Sequence, residues 1–162
     1  MLGYKDEYVD YTVTSKEQLL QKLIEAHERL IAAATTAFER GVAQEGGKWG
    51  PREIMAHIAA WEANAIERVP KIVAGAERLK YNDDAFNAAV ITILGNQSFD
   101  AIRDILRETY QRDIEMLRAL DESVFVPGNY ACERTKAAIR HTYEHAQELD
   151  ERTRVSREAV RP

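Results

Sequence analysis

Gly50-Pro51-Arg52-Glu53-Ile54-Met55-Ala56-His57-Ile58-Ala59-Ala60-Trp61 reads as the opening of a helix that must lie against other helices. Proline suits a first helical turn, where its missing N–H is not needed. Ile54, His57, Ile58 and Trp61 then recur three and four residues apart and share one face. Ile66 and Val69 continue near that stripe until Pro70, which is expected to kink or end the helix.

The same pattern extends in both directions. Upstream, Ser15 and Gln18 have capping-box spacing, and Leu20, Leu23, Ile24, His27, Leu30, Ile31, Ala34 and Phe38 follow at helical intervals up to Gly41. Downstream, Asp83 to Leu94 reads as a shorter helix closed by Gly95. Ser98 caps a further long one, Phe99 to Leu120, with Ile102, Ile105, Leu106, Tyr110, Ile114 and Leu117 facing inward. Residues 121–133 hold Pro127 and Gly128 and read as a loop, with 123–126 as a short extended piece. A last helix starts near Thr135. Arg152 to Pro162, with four Arg against one Glu, reads as a frayed tail. The expectation is an all-α protein: a four-helix bundle with a short extra helix between the second and third long helices. It forms one domain over 1–162, with the bundle at about 15–154, an N-terminal arm at 1–14 and a tail at 155–162.

Composition narrows the function. The chain has 162 residues and a formal net charge of −5, which argues against a surface built to grip nucleic acid. One cysteine, Cys132, cannot form an internal disulfide, and no apolar run approaches a membrane span or a signal-peptide core. A cytoplasmic protein with no membrane partner is expected.

The histidines carry the most chemistry. His141 and His145 sit four apart, about 6 Å along one helical face, a spacing at which two imidazoles can meet one metal ion. His57 on the inward stripe of the second helix supplies a third ligand and leaves coordination positions open, as in catalytic zinc sites. The competing reading makes all three hydrogen-bonded core residues. His27, also on an apolar stripe, is read as a half-buried packing residue. His141-Thr142-Tyr143-Glu144-His145 also matches the H-x-x-E-H pattern of inverted zinc peptidases. That reading needs a third ligand well downstream, and only 17 residues follow His145. Around the site, Glu53, four residues before His57, could accept its distal N–H, or simply complement the helix dipole. Trp61, Tyr81 and Asn87 are candidate pocket residues, with Trp49 and Phe86 nearby. Glu144 is a candidate for the metal's surroundings. Cys132 is placed in a loop with nothing to activate it.

The run Trp49 to Glu62 resembles the second-helix signature of DinB-like four-helix bundles, and within them it is most similar to the ClbS/DfsB family. Tyr81-Asn82-Asp83-Asp84-Ala85-Phe86-Asn87 and His141 to Leu149 are similar to that family's later motifs, in the same order. The resemblance implies an up-down-down-up bundle that often forms a homodimer. It also implies a divalent metal, zinc or nickel, on His57, His141 and His145. Some relatives use that metal in thiol transfer or isomerisation. The more loosely similar ClbS protein opens an electrophilic cyclopropane of a DNA-alkylating toxin. Gly50 departs from the Ser or Thr cap that relatives often carry. Two expectations follow: an enzyme acting on an electrophilic small molecule by hydrolysis or thiol transfer, or a binding module, metal-free or non-enzymatic, including a ClbS-like protective protein.

Overall fold

The first helix, α1 (Lys16–Glu39), starts at Ser15, whose hydroxyl accepts from the Gln18 amide, and ends before Gly41 at φ +76°, a left-handed conformation that glycine adopts without strain. It is followed by α2 (Pro51–Val73), α3 (Asp83–Leu94), α4 (Phe99–Ala119) and α5 (Tyr130–Ala159). These elements belong to a computed structural model that describes residues 15–159. The arm expected over 1–14 lies outside the described residues, as do residues 160–162 of the expected tail.

Contacts between helix ends set the directions. Lys16, at the start of α1, donates to the carbonyls of Arg118 and Leu120 at the end of α4, at 2.6 and 2.7 Å. At the opposite end, Phe38 stacks on Phe99, the first residue of α4, with ring centroids 4.1 Å apart. Arg152, late in α5, donates to the carbonyls of Trp49 and Ala43 in the α1–α2 connection. Helices α1 and α5 therefore run one way and α2 and α4 the other, the up-down-down-up order. The main pairings are α1 with α5 and α2 with α4, and α3 lies on α2. The fold is an all-helical bundle, and no strand occurs among the described residues.

Leucine and isoleucine fill the interior, as the inward stripes require. Leu19, Leu20, Leu23, Ile114, Leu117 and Ile139 pack toward one end, and Leu30, Ile54, Met55, Ile102, Leu106 and Leu149 toward the other. Small residues, among them Ala33, Ala34, Ala37, Ala56 and Ala59, are also buried in this second cluster.

Several boundaries differ from the sequence reading. Of the two outcomes expected of Pro70, a kink or an end, the end is excluded: α2 runs to Val73 with Pro70 inside it. The piece expected to be extended at 123–126 is instead a 3₁₀ turn over Glu122–Val124, because the Asp121 side chain accepts from the Ser123 amide and closes a turn. Helix α5 begins at Tyr130 rather than near Thr135, with the Asn129 carbonyl oxygen of the side chain accepting from the Ala131 amide. Cys132 is consequently on a helix and fully buried, not in a loop. Residues 152–159 are helical rather than frayed, since Thr153 is buried and Arg152 ties the helix to the α1–α2 connection.

Gly50 caps α2 without a side-chain bond. A Cβ there would lie 2.7 Å from Glu53 Oε2, 2.9 Å from the Gln44 backbone nitrogen and 3.2 Å from the Ala43 carbonyl carbon. The backbone passes too close for a Ser or Thr cap at this position. Gly50→Ser is therefore expected to lower stability by about 1–3 kcal/mol, overpacking outweighing the roughly 1 kcal/mol that a hydroxyl cap contributes elsewhere. A lower urea midpoint at unchanged slope would show it, and an unchanged or raised midpoint would contradict it.

Candidate metal centre and its cavity

Helix α2 presents His57 from its inward face, and α5 presents His141 and His145 from adjacent turns. Ring centroids are 5.0 Å apart for His57 and His141, 5.4 Å for His57 and His145, and 4.7 Å for His141 and His145. The His57 Nε2 lies 3.3 Å from the His141 Nε2, which lies 3.0 Å from the His145 Nε2. One ring nitrogen from each of the three falls within 4.8 Å of the others, close enough to meet one ion.

The outer nitrogens determine what the inner ones can do. Trp61 Nε1, which can only donate, points at the Asn87 side-chain oxygen at 3.0 Å. That contact orients the amide, so the same oxygen also accepts from His57 Nδ1 at 3.0 Å. On α5, His145 Nδ1 faces the Glu148 carboxylate at 3.4 Å. With their protons on Nδ1, His57 and His145 both turn an Nε2 lone pair toward His141. His141 Nε2 carries at most one proton, so at least one lone pair in the cluster meets no donor.

Burial holds these rings neutral. It pushes His57 down to about 4, helped by His141 and His145, against a hydrogen bond to Asn87 that works the other way. Burial, with His141 beside it, pushes His145 down to about 4 as well. His141 is also lowered, by burial first, with Glu144 opposing and Arg140 assisting. Neutral imidazoles are the form that coordinates metals. The donor set thus fits a divalent cation: three neutral nitrogens converge, two are oriented by groups behind them, and an unmatched lone pair is left over.

The cluster opens on a cavity of about 660 Å³, lined on this side by His57, His141, Trp61, Asn87, Tyr81 and Glu144. Trp49 packs against His57 at 4.9 Å. Trp61 and Tyr81, with ring centroids 5.9 Å apart, line the cavity, and Phe86 packs against Trp61 at 4.5 Å without lining it. Helix α3 buries only Val90, and it contributes Asn87 and Asp83 to the cavity lining, with Phe86 packed against Trp61.

Of the two readings of Glu53, the structure has the one at the helix start and not the one behind His57. Its carboxylate pairs with Arg52 at 2.7 Å, near the start of α2, and the nitrogen of His57 that it was expected to serve is occupied by Asn87. At one turn before His57 the carboxylate sits at the helix N-terminus, where free backbone N–H groups and a neighbouring arginine attract it. Asn87 sits among the pocket residues as expected, yet its oxygen is taken up by His57 and Trp61. Glu148, behind His145, went unassigned.

His27 is not half-buried but wholly enclosed, and it is ion-paired. Its Nδ1 faces the Leu23 carbonyl at 2.7 Å, its Nε2 meets Glu62 Oε1, and its ring stacks on Tyr110 at 4.8 Å. Burial is the largest influence and would depress His27, but Glu62, the Leu23 carbonyl and Asp113 together outweigh it and the net shift is upward. Nearby, Arg134 grips Asp113 with both carboxylate oxygens, at 3.1 and 2.8 Å. Burial pushes Asp113 up to about 6 despite that arginine. Sequence did carry a signal for this network. Glu62 falls on the stripe of Ile58, Ala65 and Val69, and Asp113 on that of Leu106, Tyr110 and Leu117. Acids at such positions call for buried partners.

No helix among the described residues is long and apolar enough to cross a membrane. Among curated proteins and solved structures, none matches this chain. The family model of the DinB superfamily matches residues 39–149, about two-thirds of the chain, from the end of α1 through the His141–His145 turns. By that match, and with the helical bundle it describes, the chain belongs to the DinB superfamily.

Proposed function

We propose that His57, His141 and His145 hold a divalent metal ion, zinc or nickel, and that the protein acts on an electrophilic small molecule by hydrolysis or thiol transfer. One observation supports this above the others. Three neutral imidazole nitrogens converge with more lone pairs than protons, an arrangement that hydrogen bonding within the cluster cannot satisfy. An ion held there supplies Lewis acidity and lowers the pKa of a nucleophile beside it. The chain's own residues do the rest. Asn87 and Glu148 orient His57 and His145, and Trp61 and Tyr81, which line the cavity, pack an apolar substrate body so that its reactive end is turned toward the histidines. The motif resemblance to the ClbS/DfsB family supports an electrophilic, toxic substrate and a protective role.

The test pairs zinc- and nickel-loaded protein with two probes, 1-chloro-2,4-dinitrobenzene plus a small thiol, and an activated ester. The proposal expects turnover above buffer that chelator abolishes and fresh metal restores. Turnover that persists in full after chelation would contradict it and favour a metal-free, ClbS-like protein or a binding module. Asn87→Ala removes the group that fixes the His57 ring and is expected to weaken metal binding by about 10–100-fold. Competition with a chromogenic chelator measures this, and unchanged affinity would mean that His57 is held by something else.

A further inference from the structure

Beyond the histidines, the same cavity is lined by charges of both signs, with arginine slightly in excess. Its wall includes Arg68, Arg78, Arg134 and Arg140, against Glu62, Asp83 and Glu144, while the whole protein has a net charge of −5. Two of these charges are already balanced, since Arg134 is committed to Asp113 and Glu62 to His27. Arg68 and Arg78 are different. The Arg68 guanidinium lies 5.1 Å from the centre of the Tyr81 ring and donates to that tyrosine's hydroxyl. Arg78 lies 4.4 Å from the centre of the Tyr130 ring. Neither forms an ion pair with a carboxylate among the described residues. A guanidinium resting on an aromatic face is held in place, and its remaining N–H groups, those of Arg68 not donated to the Tyr81 hydroxyl included, can grip an oxyanion.

We propose that this cavity selects small molecules bearing a carboxylate or phosphate, which Arg68 and Arg78 bind while the rest of the molecule reaches toward the histidines. That the far end is where reaction occurs rests on the function proposed above. The anion site itself does not. Arg68 lies eleven positions beyond His57 on the same helix, about 16 Å along its axis. Arginine side chains span part of that distance, so the fitting ligand is elongated, on the order of 10 Å from anion to reactive end. The roughly 660 Å³ of the cavity accommodates such a molecule, and Trp61 between the two ends suits an apolar middle.

The experiment uses chelator-stripped full-length protein, so it does not depend on the metal. Fluorescence titration compares 8-anilinonaphthalene-1-sulfonate with N-phenyl-1-naphthylamine, the same rings without the charge. Arg68→Gln/Arg78→Gln is expected to weaken the sulfonate by about 10–100-fold, the value of charge-assisted hydrogen bonds, while the neutral dye is unaffected. Inorganic phosphate and succinate, tried separately as competitors, show which anion the arginines prefer. Equal sulfonate affinity in variant and wild type would overturn the proposal. Equal loss of both dyes would overturn it too, because the cavity rather than the charge would then have changed. Metal loading of the same variant reports on the histidines independently, so failure of the anion site and failure of the metal centre give different results.

Discussion

Replacing Glu62 with alanine is expected to cost about 3–5 kcal/mol, the usual penalty for leaving one member of a buried ion pair alone. That is a large share of the roughly 5–15 kcal/mol by which most domains are stable. His27 is fully enclosed and Glu62 is 3% exposed, so water cannot replace the lost partner. Glu62→Gln should cost less, because an amide oxygen still reaches His27 Nε2. His27→Leu/Glu62→Leu should recover much of the loss, because it leaves no buried charge behind. Urea unfolding at pH 7 ranks the three proteins, and a loss under about 1 kcal/mol for Glu62→Ala would contradict a buried charge pair. The pair also has a pH signature. His27 is raised in the folded state, so its contribution is fully present below the unfolded value of 6.5 and is lost as pH rises through the folded value.

The second large effect runs the other way. In chelator-stripped protein, His57 and His145 titrate near 4 when folded and near 6.5 when unfolded. Between those values the unfolded chain binds more protons, so stability falls with acidification, by about 2 kcal/mol for each histidine at pH 5. Asp113 opposes this, since its raised pKa makes the folded state take up a proton below about 6. The comparison that isolates the histidines is wild type against His57→Gln/His145→Gln. Relative to pH 7.5, the wild type should lose about 4 kcal/mol more than the variant at pH 5. Identical pH profiles would mean that the two imidazoles are not held neutral by burial.

How much of this was legible in the chain depended on whether a residue's role is local. The caps at Ser15 and Ser98, Pro51 at the start of α2 and the stop at Gly41 act within one turn, and the structure has them where the sequence places them. The inward faces that bring His57 to His141 and His145 follow from helical periodicity, so the cluster could be assembled from spacing and motif resemblance. Tertiary partners could not. Asn87 reaches His57 only because α3 lies across α2, and periodicity says nothing about that placement. Glu53 has the right spacing to support His57, but its carboxylate is drawn to Arg52 at the helix start. The early start of α5 reflects the burial of Ala131 and Cys132 against the core, a gain that the turn residues Pro127 and Gly128 conceal. The helical run past Arg152 depends on carbonyls more than a hundred positions away in sequence, at Ala43 and Trp49.

The central claim is the metal. The most direct measurement is elemental analysis of untagged protein, as purified and after reconstitution with zinc and with nickel, beside His141→Ala/His145→Ala. The account predicts close to one ion per chain in the wild type and none retained by the variant, with the folded helical content of both confirmed by circular dichroism. Metal absent from the reconstituted wild type, or bound equally by the variant, would contradict it and leave His57, His141 and His145 as core histidines.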